Sequence, residues 1–576
     1  MATLLERLAA RIGKAHARRV SARFERALQQ VDVEQERALR RALAVTAGSE
    51  FARRHGLERV RTLRDLRRAM PLRTYEDYRP YLDRVCDGDL RALLSSRQKA
   101  LMFATSSGTT ALPKLIPVTP AFIADYRRGW NTFGLKMLAD HPHAVLRGIL
   151  QSTSRHDSGR TRGGIPCGAI TGLLARSQKR IVRRFYVGRP EVAHLPEPVQ
   201  RYYTLMRLGV VRDVSFAITA NPATLLQMAR AADERSEILI RDVRDGTICP
   251  EMVEAPTLRR ALGAGLRPAP EVAARLEGLR ERFGALRPRD YWDLAFVACW
   301  TGGSMGHYLQ RLADWWGEIP VRDLGLLASE GRVSLPLRDG TPAGVLDVTA
   351  AAFEFIPADE ADAVQPQTYA ARELELGRDY AVVLTNTTGL TRYRLDDVVR
   401  VQGWCGQAPL IEFLYRGGRV ASIAGEKLTE NQAVTAVRSS CRAHGTATFD
   451  FVLAPVWGDP PFYRLSGAVE PVRGLAAAID RALSDQNEEY ASRRKSNRLG
   501  PLVLRDIDPD LIPAMDTRLT AARRATAEQY KRPCLFMEPG DDDRALGLPA
   551  CAPSSAHAGD RLAQEEAATC DGTPSR

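Results

Sequence analysis

From about residue 20 to about residue 425 the chain alternates short apolar runs with longer amphipathic segments. Runs such as DVSFAIT (Asp213 to Thr219) and DLAFVACW (Asp293 to Trp300) have the length and β-branched or aromatic content of buried strands, and each is followed by a helical pattern. Strand-then-helix order forces crossover connections, so it restricts the chain to an α/β architecture. From Gly344 the character changes: GVLDVTAAAFEFIP, DYAVVLTNTTGLTRYRL and DVVRVQGW are strands broken by Gly and Asn-Thr turns, as in an antiparallel sheet or barrel. Gly417, Gly418 and Gly425 then punctuate a hinge, after which helices and strands restart on a smaller scale. The expected fold is therefore α/β, with a large N-terminal domain of α/β sheets plus a β-barrel-like part (1–425) and a smaller, mobile C-terminal α+β domain (426–540). The Asp-, Ala-, Ser- and Gly-rich stretch 541–576 lacks periodicity and reads as a disordered tail.

The bulk properties exclude several classes. At 576 residues and 44% hydrophobic content the chain can bury a large core, yet no run approaches the ~18 apolar residues of a membrane span. The N-terminal helix is basic, interrupted by Glu6 and Glu25, and lacks the apolar core of a signal peptide. Nine cysteines without a C-x-x-C pair argue against a disulfide framework or a zinc site and fit a reducing cytoplasm. The formal charge of +13 arises from 82 bases against 69 acids, with no long Lys/Arg run, so it points to an Arg-rich surface rather than to nucleic acid. The chain reads as a monomer without nucleic-acid or membrane partners, acting on small molecules.

One loop asks for a chemical explanation. TSSGTTALPKLIP, Thr105 to Pro117, places Ser106, Ser107, Gly108, Thr109 and Thr110 in a row between an apolar run and a helix-like segment, where backbone N–H groups converge on an anion. It matches neither G-x-x-x-x-G-K-[ST] nor G-x-G-x-x-G. Lys114 either neutralises that anion or is a solvent lysine after a proline. A second motif, GGSMG (Gly302 to Gly306), fits the nucleophile elbow of a serine hydrolase with Ser304 as nucleophile. The downstream histidine it would need, His444, ends a helix in the small domain. Arg155, Arg160 and Arg162 lie together in a Gly-rich loop, able to bind a carboxylate but more commonly solvated in such a setting.

The Ser/Thr loop has companions in a fixed order: TGGSM with Tyr308, LASEG (Leu327 to Gly331), YRLDDVVR (Tyr393 to Arg400), GEKLTENQ (Gly425 to Gln432), the LSDQNEEY segment and QYKRP. Over roughly residues 20 to 540 this set resembles the acyl-adenylate-forming superfamily, and within it the Gretchen Hagen family of acyl acid–amido synthetases. Two positions depart from that family's pattern: Leu326 stands where its members usually carry Tyr, and Asp396 where they usually carry Gly before the motif's Asp.

The resemblance implies an ATP-dependent, magnesium-requiring ligase that adenylates a carboxylic acid, releases pyrophosphate and passes the acyl group to an amine, an amino acid by family likeness. It implies that Ser106, Ser107, Gly108, Thr109 and Thr110 cradle the β- and γ-phosphates. Ser329 then lies near the adenine or α-phosphate, and Glu330 associates with Mg²⁺. Asp397 accepts from both ribose hydroxyls, as an ionised carboxylate can. Arg400 pairs with Asp397, reaches the ribose, or forms a surface ion pair. Lys427 contacts phosphate, and Lys531 is a late lysine delivered by the small domain. Two alternatives remain open: transfer to coenzyme A or a carrier thiol within the superfamily, and the serine hydrolase.

Overall fold

A computed structural model describes residues 4–106, 114–178, 180–302, 305, 308–361, 363, 365–416, 420–424, 426, 428–469, 472–522 and 532–549. The described chain divides into two compact units, 4–416 with 520–522 and 420–519 with 532–549. The division falls between Gly417 and Gly418, not at Gly425, because Val420–Ala421 pairs with Leu428–Thr429 and so belongs to the second unit.

The first unit carries three large sheets. Gly148–Gln151, Val214–Ile218, Phe296–Ala298 and Val321–Arg322 form an all-parallel sheet in that order. Every residue of Val214–Ile218 is buried, as a parallel strand covered on both faces requires. A four-stranded sheet orders Lys114–Val118, Met102–Ser106, Pro166–Gly168 and Gly159–Arg160. The third, six-stranded and antiparallel, runs Ser334–Leu335, Gly344–Leu346, Ala408–Arg416, Tyr393–Cys405, Asp379–Thr385, Ala352–Pro357. The segment expected to be antiparallel is thus one sheet.

Helix Val31–Thr46 covers this sheet with Val31, Gln35, Ala38, Leu39, Ala42 and Val45, a 3.6-residue stripe. Gln35 is the polar member of that stripe. Its amide donates to the carbonyls of Val348 (2.9 Å) and Ala351 (3.0 Å) and accepts from Phe353 N–H (2.7 Å), so its burial costs nothing unpaired. Among the described residues no helix is long and apolar enough to cross a membrane.

The Ser/Thr loop does not lead directly into a helix. Lys114–Val118 is a strand, antiparallel to Met102–Ser106 with Ser106 opposite Lys114, so the loop closes a hairpin. The helix Pro120–Asp140 begins only after it, capped by Thr119, whose hydroxyl accepts from Phe122 N–H at 3.0 Å. The helix N-terminus is therefore not what would meet an anion at the loop. Pro117 is tolerated in a strand here because Lys114–Val118 is an edge.

The second unit packs helices Glu430–Ala443, Leu475–Gln486 and Glu488–Lys495 on a three-stranded sheet, Phe451–Val456, Phe462–Gly467 and Val503–Asp506. Val437, Cys441, Phe451, Tyr463, Ile479 and Leu483 form its core. The stretch from Leu475 to Lys495 reads as one helix but is two. Asn487 is extended (φ −140°, ψ 104°) and accepts from Tyr490 N–H, while its amide donates to the Glu426 carbonyl (3.0 Å) and Gln432 Oε1 (3.2 Å).

The expected tail is also shorter than the sequence suggests. Asp541–Leu546 is a helix, with Asp542 0% and Asp543 2% exposed. Asp542 is 2.8 Å from Arg464 and 3.2 Å from Arg505, and Asp543 is 2.8 Å from Arg464 and 2.5 Å from Arg505. Burial pushes the Asp543 pKa up, but hydrogen bonds from Arg505 and Arg464 more than offset this and hold it below the usual carboxylate value. Residues 550–576 lie outside the described residues. Removing one side of a buried ion pair strands the other charge, at ~3–5 kcal/mol. The double substitution Asp542→Ala/Asp543→Ala is expected to lower the unfolding free energy of this unit in the full chain by that order, read as a lower urea midpoint. Because the Asp543 pKa is depressed, the latch's contribution is present above pH ~4 and is lost as pH falls below it. An unchanged midpoint in urea would contradict the latch.

Candidate active site

Three sheets of the first unit deliver side chains to one place. The two-residue strands Leu327–Ala328 and Gly331–Arg332 form a tight hairpin whose turn is Ser329-Glu330. Ser329 Oγ donates to the Thr105 carbonyl at 3.2 Å, tying that turn to the strand that enters the Ser/Thr loop. Glu330 is 1% exposed. Its carbonyl accepts from Asn386 Nδ2, and its Oε1 accepts from Tyr393 Oη at 3.2 Å. Lys114 Nζ donates in turn to Tyr393 Oη at 3.4 Å and lies 5.6 Å from the centre of the Tyr75 ring. Lys114 is thus held toward the site rather than standing free in solvent. The chain Lys114–Tyr393–Glu330 supplies what a buried carboxylate needs, a donor with a cation behind it.

Tyr393 begins the strand that also carries Asp397, 4% exposed and opposite Arg416. At ~3.3 Å rise per residue, Asp397 lies on the order of 10 Å along the strand from Tyr393. Just before it, Asp396 takes φ 62°, the left-handed region where the family pattern carries Gly. The register between Asp379–Thr385 and this strand shifts there, a bulge that turns Asp397 relative to its neighbours. Arg392, also at positive φ (49°), is buried and clamped on Glu354 at 3.0 and 3.1 Å, which fixes the chain entering Tyr393. Arg400 lies farther along the strand and forms a bidentate ion pair with Asp379 at 2.7 and 2.9 Å, the cross-strand pairing among its open alternatives.

A slot in the same unit is lined by Trp300, Gly302, Asp323, Leu326, Pro342 and Phe413. Phe413 sits opposite Val399 on the strand neighbouring Asp397's. A Cβ on Gly302 would come within 3.3 Å of Pro342 Cβ and 3.4 Å of the Phe413 carbonyl, so only glycine leaves the slot open. Leu326, 5% exposed, forms the wall where the family pattern has Tyr. Asp323 staples two edges of the slot. Oδ2 accepts from Thr301 N–H (2.6 Å) and Thr301 Oγ1 (2.7 Å), and Oδ1 accepts from Gly325 N–H (2.6 Å). Burial pushes its pKa up to about 6 against the pull of these hydrogen bonds.

Of the residues singled out from sequence, the structure thus assembles Ser106 (by its strand), Lys114, Ser329 and Glu330, while Asp397 lies farther along Tyr393's strand. Ser107, Gly108, Thr109, Thr110, Ser304, Gly425, Lys427 and Lys531 lie outside the described residues. Glu426, next to Lys427, is fully buried in the second unit and accepts from Ile423 N–H (2.9 Å) and Ala424 N–H (2.8 Å), so the chain before the lysine is anchored. His444 Nδ1 lies 2.9 Å from the Ser440 carbonyl of its own helix. Arg155 faces Asp157 (3.4 Å) and Arg160 donates to the Gly164 carbonyl (2.8 Å), both exposed. Tyr393, Asn386 and Asp323 carry the geometry without having been singled out; Tyr393 stood inside a quoted motif.

The described residues thus hold one buried carboxylate, Glu330, against Tyr393 and Lys114 beside the strands that flank the Ser/Thr stretch. The GH3 family N-terminal domain matches residues 20–321, its central domain 344–416 and its C-terminal domain 431–539. The chain belongs to the GH3 family, the acyl acid–amido synthetases. It is 25% identical to the jasmonoyl–L-amino acid synthetase JAR4 of Nicotiana attenuata, over 82% of this chain and 85% of that protein. It is 27% identical to the probable indole-3-acetic acid-amido synthetase GH3.12 of Oryza sativa subsp. japonica, over 89% and 92%. The solved AtGH3.15 acyl acid amido synthetase in complex with 2,4-DB shares the fold, with a TM-score of 0.81 at 19% identity over 94% of this chain and 98% of that one.

Two outcomes follow. Tyr393→Phe removes the donor to Glu330; a hydrogen bond to a charged group is worth ~1.5–3 kcal/mol, so kcat/KM for ATP is expected to fall roughly 10- to 100-fold in steady-state assays. Asp323 accepts all three bonds only when ionised. The KM for ATP is therefore expected to rise as pH falls through about 6, and Asp323→Asn is expected to lose that step. A flat profile in the native protein would contradict this.

Proposed function

We propose that this chain uses ATP and Mg²⁺ to adenylate a carboxylic acid and then joins the acyl group to the amine of an amino acid. The observation that carries the reading is the meeting, within one unit, of Glu330, Tyr393 and Lys114, with Asp397 on Tyr393's own strand. The slot takes the adenine, and Leu326 supplies an aliphatic wall where an aromatic one would stack. Asp397 accepts from both ribose hydroxyls. The loop of Ser106, Ser107, Gly108, Thr109 and Thr110 wraps the β- and γ-phosphates, with Lys114 opposing their charge.

Among the described residues no three His, Cys, Asp or Glu side chains group to hold a metal ion. That fits Mg²⁺ held by one protein carboxylate together with phosphate oxygens, Glu330 being the carboxylate. Bound magnesium would offset the phosphate charge that repels an incoming carboxylate. The protein's own residues position that carboxylate for attack on the α-phosphorus and stabilise the charge on its equatorial oxygens. Lys427 contacts phosphate in the first half-reaction, and Lys531 of QYKRP is the late lysine of the motif set. In the second, the neutral amine attacks the acyl carbon and AMP departs.

Pyrophosphate exchange into ATP, run against a panel of carboxylic acids and followed by mass spectrometry of products formed with mixed amino acids, tests this. Asp397→Ala removes two charge-assisted hydrogen bonds and is expected to lower exchange roughly 100-fold or more. Lys427→Ala is expected to lower it strongly as well. Near-native exchange in both variants would overturn the assignments.

A further inference from the structure

Away from the adenylation site, a second cleft opens at the edge of the parallel sheet. The segment 185–187 runs beside Gly148–Gln151, with Val187 N–H donating to the Ile149 carbonyl and Ile149 N–H donating to the Phe185 carbonyl. The cleft between this segment, the turn at Val211-Arg212 before Val214–Ile218 and the turn at Gly265-Leu266 has a volume of about 370 Å³, within the range of small-molecule sites. Arg183, Arg184, Arg189 and Arg212 line it, and no carboxylate does among the described residues. Val211 and Leu266 form part of its apolar wall.

Two of these arginines are fixed in place. Arg212 donates to the carbonyls of Tyr186 (2.9 Å) and Arg184 (2.7 Å). Arg189 donates to the carbonyl of Ala261 (2.6 Å) and also to that of Ala264. Backbone carbonyls orient a guanidinium but carry no net charge to neutralise it. Burial alone lowers the Arg212 pKa, with no carboxylate near enough to raise it. Arg392 and Arg464, by contrast, are paired with the carboxylates of Glu354 and Asp542. Arg183 and Arg184 stand at the mouth, exposed, Arg183 donating to the Arg176 carbonyl (2.8 Å) and Arg184 lying over the Phe185 ring. Backbone carbonyls leave the charge of these guanidiniums in place, and a multiply charged anion meets several of them at once.

We propose that this cleft is a second anion site that takes a ligand bearing a polyphosphate group, with the guanidiniums of Arg183, Arg184, Arg189 and Arg212 on the phosphates and the aliphatic wall against its organic part. A monocarboxylate would neutralise only one of the four charges, and so fits less well. The site shares no lining residue with the slot at Trp300 and Leu326 and does not depend on the function proposed above.

The test uses the full chain and inorganic tripolyphosphate. Phenylglyoxal labels accessible arginines, and peptide mass spectrometry maps which ones tripolyphosphate protects. Protection at Arg183, Arg184 and Arg212 is expected. Arg183→Gln/Arg184→Gln changes only exposed side chains, so it leaves the fold and basal pyrophosphate exchange intact. It is expected to weaken tripolyphosphate binding in calorimetry about tenfold or more. Unchanged affinity in that variant would assign the binding to the adenylation site, and unchanged labelling or no binding at all would equally overturn the proposal.

Discussion

A carboxylate stripped of water must find a donor, and Glu330 is almost wholly buried. Its solution organises the large unit. The donor, Tyr393, comes from the six-stranded sheet; the lysine behind it comes from the return strand of the Ser/Thr hairpin; the turn that carries Glu330 is tied to the outgoing strand of the same hairpin through Ser329. Three separate pieces of backbone are thereby registered on one side chain. The bulge at Asp396 lies farther along Tyr393's strand, next to Asp397. A change in any one of these pieces shifts the others, which is why residues remote in sequence act as one site.

Arginine serves a parallel purpose throughout the chain. Arg207 is fully buried and donates to the carbonyls of Thr247 (2.9 Å) and Asp242 (2.7 Å). Arg332 stacks over the Trp130 and Phe133 rings while donating to the Leu324 carbonyl at 3.0 Å. A planar guanidinium satisfies several carbonyls at once where a lysine satisfies fewer. Carbonyl-held and ring-stacked arginines thus serve the core, and the Arg-lined cleft differs in gathering four guanidiniums with no carboxylate in its lining among the described residues.

The order of motifs was legible in the sequence because each is a local signal: Glu330 and Asp397 were singled out by their neighbours, and the change of strand character at Gly344 marked the antiparallel sheet. Features that depend on distant partners were not. Tyr393 reads as an ordinary inward strand residue until Glu330 is seen beneath it. The break at Asn487 depends on Glu426 and Gln432, and Asp542 and Asp543 read as solvated until Arg464 and Arg505 close over them. Lys114–Val118 was obscured by Pro117, which argues against a central strand but not against an edge.

The central claim concerns which bond ATP loses. If the acid attacks the α-phosphorus and the amine then displaces AMP, one carboxylate oxygen must remain on the phosphorus. An acid labelled in its carboxylate with heavy oxygen, turned over with ATP and an amino acid, is expected to leave a single heavy oxygen on AMP. Label recovered in inorganic phosphate, with ADP as the nucleotide product, would contradict the account.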